Sequence, residues 1–362
     1  ALSRHATYNL QFRPDTDVAL LNSLMHVIIE ENLCNEKYIT EHTTDFEKLK
    51  SNVADYSPEK VAPICGIPEE TLREVARTFA TAESAIILWG MGISQHIHGT
   101  DNSRCLIALS LMTGQIGRPG TGLHPLRGQN NVQGTSDMGL IPMFFPDYKS
   151  VTDPENKKWF EDFWKTPLNP KTGLTVVEIV DAVHSGDVRG MYVEGENPAM
   201  SDPNLNHARG ALSMLDHLVV QDIFLTETAG FADVIFPASA FPEKSGTFTN
   251  SNRQVQLGRQ AINPPGDARQ DWWIIQEVAR KLGLDWSYDG PEQIFTEIRK
   301  ATPSMAGITW ERLQKEHSVT YPCSKEGDPG EAIVFRKGFP TVNKKARFVP
   351  AKYTHADEMP DE

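Results

Sequence analysis

Short apolar runs that end in glycine or an acidic residue alternate with amphipathic helical segments along most of this chain. Residues 84–90, 189–194 and 217–221 are three such runs, and helical spacing of apolar residues is clear over 17–32 and 68–79. Buried strands that alternate with helices pair in parallel, so this rhythm predicts an α/β fold. Further elements of the same two kinds are predicted as a strand over 232–237 and helices over 104–113, 174–184, 206–214 and 272–282.

We expect these elements to build two three-layer units of mostly parallel sheet with flanking helices. The predicted domains are residues 1–129, residues 130–290, and a partial extension and linker over 291–362. Residues 150–173, rich in proline, aspartate and lysine, are predicted as a surface excursion, and residues 351–362 as a polar linker or disordered tail.

Charge and cysteine content exclude several classes of protein. A formal net charge of −13 argues against nucleic acids or anionic membranes as partners. We find no apolar run long enough to span a bilayer, so no membrane insertion is predicted. Without a Cys-x-x-Cys spacing the chain encodes no local zinc or iron–sulfur site, and we expect reduced thiols of a cytoplasmic protein. The cysteines are Cys34, Cys65, Cys105 and Cys323.

The segment His124–Gly139 combines one arginine, three glycines and four carboxamide side chains with little apolar content. This is poor material for a core helix or strand, so we predict a ligand-binding loop. Its glycines permit close backbone approach or a positive φ, and its amides supply uncharged donors and acceptors. Arg127 carries a planar guanidinium suited to holding a carboxylate by two hydrogen bonds.

Other candidate ligand positions follow predicted strands, where α/β sheets bind ligands. Gly90-Met-Gly92 is half of a dinucleotide fingerprint, with Gln95 in place of the third glycine. Asp222 ends a strand and suits the N1–H and 2-amino group of guanine; the alternative is a helix N-cap for the segment that follows. His96 and His98 are interpreted as surface or packing histidines.

Several short sequence motifs between Arg13 and Asp271 resemble those of one protein family. The longest are residues 111–122 (LMTGQIGRPGTG) and 126–134 (LRGQNNVQG), with WGMGISQ at 89–95, GENP at 195–198, VQDIFLT at 220–226 and ADVIFP at 232–237. They resemble the catalytic subunit of molybdenum- or tungsten-dependent formate dehydrogenases, in the molybdopterin oxidoreductase superfamily that includes dimethyl sulfoxide reductase.

This resemblance implies a bis-molybdopterin guanine dinucleotide with molybdenum or tungsten, lying along a cleft where the two units meet near Arg127. Met91, Gly92 and Gln95 would line one guanine dinucleotide, and Gly128 and Gln129 would lie against the pterin. The guanosine end of the other dinucleotide would contact Gly195, Glu196, Asn197, Ser201, Gln221, Asp222 and Asp271. No residue of this chain is expected to ligate the metal.

The resemblance also implies formate as substrate, with Arg127 holding its oxygens so that the C–H bond faces the metal. The alternative is a structural arginine paired with Asp137 or a cofactor phosphate. His124 is either a second polar group of the channel or a plain loop histidine.

This chain departs from the family in two places. Some relatives have Asp at the position of Asn197, so recognition there would use an amide. The commoner form has Glu at the position of Asn252, so residues 250–253 are left out of the predicted site.

Members of the family also carry an N-terminal iron–sulfur segment, a Cys–His or selenocysteine–His pair, and a C-terminal barrel-like domain. None of these patterns is visible here, so we expect an internal piece of a larger subunit that passes electrons to iron–sulfur and flavin subunits. The fragment alone is expected to be inactive.

Two other functions remain open. One is another enzyme of the superfamily such as a nitrate reductase, although the setting of Arg127 favours formate. The other is a non-catalytic scaffold related to the large iron–sulfur subunit of respiratory complex I, which the polar glycine-rich loop argues against.

Overall fold

The computed structural model describes residues 2–356. Its α-helices are α1 Asp17–Glu30, α2 Glu36–His42, α3 Phe46–Val53, α4 Pro58–Cys65, α5 Glu69–Thr81, α6 Met91–Ser94, α7 Gly99–Thr113, α8 Val132–Asp137, α9 Pro154–Trp164, α10 Val176–Ser185, α11 Pro198–Ser201, α12 Leu205–Met214, α13 Asp271–Lys281, α14 Pro291–Ala301 and α15 Trp310–Glu316. Its short 3-10 helices are Leu2–His5, Pro146–Tyr148, Thr228–Phe231, Phe241–Glu243 and Pro303–Met305.

The strands form small sheets of two or three members. They are β1 Thr43–Thr44, β2 Ile86–Trp89, β3 Gly122–Pro125, β4 Phe144–Phe145, β5 Lys149–Ser150, β6 Gly190–Glu194, β7 His217–Asp222, β8 Val234–Pro237, β9 Gly246–Thr249, β10 Gln254–Gly258, β11 Ser318–Thr320 and β12 Ala346–Arg347. The pairs β2–β3 and β1–β12 are parallel, as is the sheet β6–β7–β8, whereas β4–β5 and β9–β10–β11 are antiparallel. The α/β class predicted from the sequence is confirmed.

The chain divides into two compact units. These units differ from the predicted domains in the C-terminal part of the chain. The first unit runs up to Gly128 and resumes at Ala332, and the second unit runs from Gln129 to Glu331. The predicted extension over 291–362 is therefore divided between them. The predicted boundary between residues 129 and 130 lies one residue from the boundary between the two units.

Helix α1 forms the centre of the first unit. Both faces of this helix are buried, and it packs against α4, α5 and α7. Its polar Asn22 is fully buried, and its Nδ2 donates to the carbonyl of Ala351 at 2.9 Å. Asn52 donates to the same carbonyl at 2.9 Å. The predicted linker tail is therefore wrong at its start, where Ala351 is part of the core; residues 357–362 lie outside the described residues.

Two other sequence predictions need correction. Residues 150–173 contain helix α9, where Asp153 accepts from the backbone N–H groups of Glu155 and Asn156 as an N-cap. Phe160 on this helix is buried and packs against Phe145, with ring centroids 4.7 Å apart. Aromatic residues at helical spacing were the sequence signal for helix α9, but the charged residues around them obscured it.

The polar segment 124–139 is also more ordered than a loop. His124 belongs to strand β3, and residues 132–137 form α8. Of its three glycines, Gly139 has a positive φ of 80° and a crowded Cβ position, while Gly134 lies inside the helix.

No helix in residues 2–356 is long and apolar enough to cross a membrane.

Matched leucines test whether the α1 core stabilises the first unit. Leu111 on α7 is 1% exposed, whereas Leu88 on β2 is 59% exposed. We expect Leu111→Ala to lower the free energy of unfolding by about 2–5 kcal/mol, because it removes buried contacts and leaves a cavity. Leu88→Ala should change it by about 0.5 kcal/mol or less. Equal losses in urea unfolding would contradict this description of the core.

Candidate functional site

The first candidate region lies at the carboxyl ends of β2 and β3. These strands pair in parallel with Trp89 opposite Pro125, and the Leu126 N–H donates to the Trp89 carbonyl at 2.6 Å. The segments that leave the two strands therefore start side by side. One contains Met91, Gly92 and Gln95, and the other contains Arg127 and Gly128. The structure thus brings together two groups of residues predicted from separate phrases.

Space for a ligand exists at this edge. Met91 is 65% exposed, and Gln95, Arg127 and Gly128 are also exposed. A Cβ atom placed on Gly92 or on Gly128 would meet nothing within 4 Å. Helix α6 is only four residues long, so its backbone lies close to the strand end. A flat ligand can approach the main chain here without displacing side chains.

His124 and Gln129 differ in their position. His124 lies within β3 opposite Leu88 and is half-buried. It is thus a strand residue, not a loop residue, three positions before Arg127. Gln129 is exposed and is the first residue of the second unit.

His96 holds the α6 segment in place. Its Nδ1 bonds the Asp15 carboxylate, and its Nε2 lies 2.8 Å from the Gly92 carbonyl. Both partners are acceptors, so both ring nitrogens act as donors, which requires the protonated imidazolium. Burial acts to lower the pKa of His96, but the bonds to Gly92 and Asp15 outweigh it and raise that pKa. The sequence suggested only a packing histidine; this one fixes the backbone carbonyl of a predicted cofactor-binding residue.

The second candidate region lies at the carboxyl ends of β6, β7 and β8. The register sets Glu194 opposite Gln221, and Asp222 opposite Pro237. Gly195 follows β6 with a φ of 64°, and its N–H donates to the Gln221 carbonyl at 2.9 Å. This left-handed turn directs the next residues across the end of the sheet.

Asn197 organises the segment after β6. Its Oδ1 accepts from the Thr228 N–H at 3.1 Å and from the Thr228 hydroxyl at 2.7 Å, and its Nδ2 donates to Glu227 at 2.7 Å. The hydroxyl of Ser201 donates to the Asn197 carbonyl at 3.1 Å. Asn197 thus uses its amide as both acceptor and donor, which an aspartate cannot do. The donor bond also lowers the pKa of Glu227. Glu196 is exposed beside them.

Gln221 is the buried centre of a polar network. Its Oε1 accepts from the Tyr192 hydroxyl at 2.6 Å, so its Nε2 faces Asp271 at 2.9 Å and Glu194 at 3.3 Å. Lys244 forms an ion pair with the other oxygen of Asp271. Burial, and then the charge of Asp271, raise the pKa of Glu194.

Sequence reasoning had not singled out Tyr192, Glu194 or Lys244. Tyr192 and Glu194 alternate along β6, so they lie on the same face of the sheet as Gln221 on β7. This alternation was the available sequence signal. Lys244 lies far from Asp271 in the sequence and gave none.

Asp222 closes a tight turn. Its Oδ1 accepts from the N–H groups of Ile223 at 2.6 Å and Phe224 at 3.1 Å. No helix begins directly after Asp222 in the described chain, so the N-cap alternative is wrong. No described residue bonds Oδ2, and Asp222 is only half-buried. One carboxylate oxygen shapes the turn and the other is available to an incoming donor.

Among residues 2–356 no group of three or more His, Cys, Asp or Glu side chains is arranged to hold a metal ion.

The His96–Asp15 pair predicts a pH-dependent contribution to stability. Since the folded pKa of His96 lies above its ordinary value of 6.5, the contribution is fully present below that value. It is lost as the pH rises through the folded pKa. Below pH 6.5, Asp15→Asn should therefore lower the urea midpoint of unfolding. Above the folded pKa of His96, the substitution should leave that midpoint nearly unchanged.

Asp55→Asn is the matched control, because the Asp55 side chain is 89% exposed and pairs only with Lys60 in the described chain. The same pH profile in Asp15→Asn and the wild type would contradict the assignment.

Comparison with known proteins gives the family. A family model described as molybdopterin oxidoreductase matches residues 3–281. The F420-dependent formate dehydrogenase subunit alpha of Methanocaldococcus jannaschii is 47% identical over 362 residues, covering 99% of this chain and 53% of that protein. The F420-dependent formate dehydrogenase 2 subunit alpha of Methanococcus maripaludis is 40% identical over 363 residues, with the same coverage of both. The chain thus spans about half the length of these curated relatives.

A solved structure shares the fold. Acetylene hydratase from Pelobacter acetylenicus matches with a TM-score of 0.71 and 22% identity, covering 96% of this chain and 49% of that one. The matched family model covers about three quarters of the chain, residues 3–281. The chain therefore belongs to the molybdopterin oxidoreductase family.

Proposed function

We propose that this chain is the part of a formate dehydrogenase catalytic subunit that holds a bis-molybdopterin guanine dinucleotide and formate. The observation that carries the proposal is the identity of 40% and 47% to two proteins named as formate dehydrogenase alpha subunits, each over 99% of this chain. The contacts and the open backbone at the two strand edges support this proposal.

The cofactor fit rests on open backbone and on the donor set. At the β2–β3 edge, Gly92 and Gly128 leave room for a flat ring system against the main chain. At the β6–β7–β8 edge, Gly195 turns the chain, and Oδ2 of Asp222 has no hydrogen-bond partner among the described residues. When bound, molybdenum or tungsten with its pterins supplies the two-electron redox chemistry. The chain itself supplies binding and orientation.

The Gln221 network supports this fit. Tyr192 fixes which end of the Gln221 amide faces Asp271, and Lys244 balances the charge of Asp271. Because the network is formed by the protein alone, a guanosine would meet side chains that are already oriented. Gln221, Asp271 and Lys244 would act mainly by keeping this edge rigid.

Arg127 is the proposed formate ligand. Formate is a carboxylate with one C–H bond, and a planar guanidinium binds both of its oxygens in one orientation. Arg127 lies two residues beyond the end of β3, and the segment that leaves β2 through Met91 starts beside it, so the paired strands hold its backbone near that segment. His124, within β3, is proposed as a second polar group near formate.

The proposal also covers what surrounds the chain. Relatives named as alpha subunits imply companion subunits, and we propose iron–sulfur and flavin subunits as the electron acceptors, with a cluster in the N-terminal part of the subunit. A cytoplasmic location is supported by four free cysteines.

Arg127 is tested in a cofactor-loaded catalytic subunit that contains this sequence. Arg127→Ala should lower kcat/KM for formate, because it removes one partner of a desolvated charged pair. The decrease should correspond to a loss of about 2–5 kcal/mol in transition-state stabilisation. Arg127→Lys keeps the charge but loses the planar fork, so its activity should also be far below the wild type. Cofactor content should stay normal in both.

Arg104→Lys is the control, since Arg104 lies on α7 and pairs with Asp101. Formate kinetics within about twofold of the wild type in Arg127→Ala would favour the structural-arginine alternative.

Asp222 is tested with two substitutions that separate its two oxygens. Asp222→Asn keeps an oxygen that accepts from Ile223 and Phe224, but it replaces the other acceptor with an NH₂ donor that would face the N1–H of guanine. Asp222→Ala removes both, at about 1–3 kcal/mol for each donor left unpaired.

If Asp222 binds guanine, cofactor content per subunit should fall in both variants while the fold persists. Normal content in Asp222→Asn with a loss only in Asp222→Ala would assign Asp222 to the turn alone.

A further inference from the structure

A cavity of about 330 Å³ in the second unit is separate from both strand edges. It is bounded by the end of α9, by α13, by α14 and by the segment between these last two helices. Its walls are mainly aromatic and aliphatic, and the aromatic rings belong to Trp164, Trp272, Trp286 and Tyr288. Its size is at the lower end of the range for small-molecule sites.

The polar groups in the walls are already bonded to one another. The Gln276 amide, 3% exposed, accepts from the Tyr288 N–H at 2.6 Å and donates to the Tyr288 carbonyl at 3.2 Å. The indole N–H of Trp272 donates to Gln270 at 2.9 Å. These bonds leave the cavity with ring faces, the indole N–H groups of Trp164 and Trp286, and few free acceptors.

Glu297 is the one charged side chain of the lining. Its Oε2 accepts from the Tyr288 hydroxyl at 2.7 Å. No described cation forms an ion pair with it. Lys300, one helical turn further along α14, lines an adjoining cavity that shares Trp286, Tyr288 and Glu297 with this one, but it forms no ion pair with Glu297. The cavity therefore has a local negative charge surrounded by aromatic rings.

Aromatic faces around a carboxylate select a particular kind of ligand. The rings of Trp286 and Tyr288 meet at 69° with centroids 6.5 Å apart, so they form a corner. Ring faces attract cations, and the attraction grows as the cation loses its water. A hydrated metal ion would need several oxygen ligands, and Glu297 supplies only one carboxylate. An ammonium rich in N–H donors would also lack acceptors here.

We propose that this cavity binds a quaternary ammonium ion or a similar organic cation with an apolar surface. The cation lies against the Trp286–Tyr288 corner with Glu297 as its counter-charge. Trp164 and Trp286 are 37% and 40% exposed, which gives the ligand access from solvent. The chain's net charge of −13 favours cations over anions in general. This site is independent of the proposed formate chemistry.

Choline and 3,3-dimethylbutan-1-ol test the charge requirement, since they share their shape and differ in the charged nitrogen. Calorimetric titration of a catalytic subunit that contains this sequence should show choline binding at least about tenfold more tightly than the neutral alcohol. Equal affinity for the two would overturn the assignment to cations. Absence of choline binding would overturn the site.

Glu297→Gln should weaken choline binding by about tenfold and leave the alcohol unchanged. Glu292→Gln is the matched control, because Glu292 lies exposed on the same helix and does not line the cavity. Trp286→Leu keeps an apolar side chain but removes the ring face, so it should weaken choline more than the alcohol. Wild-type choline affinity in Glu297→Gln and Trp286→Leu would show that choline binds elsewhere.

Discussion

Parallel strand pairing is the constraint on which both candidate regions depend. Two strands that run the same way end at the same edge, so the segments that follow them start as neighbours although they are far apart in sequence. In the first unit this pairing brings the Gly90–Gln95 segment next to Arg127. In the second unit it aligns the ends of β6, β7 and β8. The registers, more than any single side chain, determine which residues can meet one ligand.

Much of this arrangement follows from local sequence. The strand over 217–221 and the helix over 174–184 were predicted from periodicity, and the structure places them at His217–Asp222 and Val176–Ser185. The place of Asp222 at the end of a strand was recognisable without knowledge of the pairing, whereas Gly195 and Asn197 came from the family resemblance. The candidate positions were therefore found one by one.

The contacts between those positions were not predictable. Lys244 and Asp271 approach each other because the segment after β8 pairs with the segment before α13, where Ala238 lies opposite Arg269, and the sequence contains no periodic signal for that contact. The pairing of β10 with β11 was not predictable because β11 returns from a distant segment. His96 was underestimated for the same reason, since its partner Asp15 precedes α1. Long-range polar contacts are specified by the fold as a whole.

The buried Gln221 network also bears on the scaffold alternative. A purely structural sheet would be stabilised as well or better by apolar residues at this edge, since buried polar groups must be matched by partners. Instead Tyr192, Glu194 and Asp271 converge on one amide, with Lys244 beside them. Such a cluster is typical of a binding surface that must keep one geometry, which is consistent with a ligand-holding role.

The bond from Asn22 to Ala351 has a consequence for synthesis of the protein. The core of the first unit includes Phe348 and Ala351 together with α1, yet the whole second unit lies between them in the sequence. On a ribosome that adds about 5–20 residues per second, α1 therefore waits roughly 15–65 s for Ala351, which lies 329 residues after Asn22. During that interval its apolar surface is incompletely covered. The second unit is continuous in sequence, so all its residues are synthesised before the core of the first unit is complete.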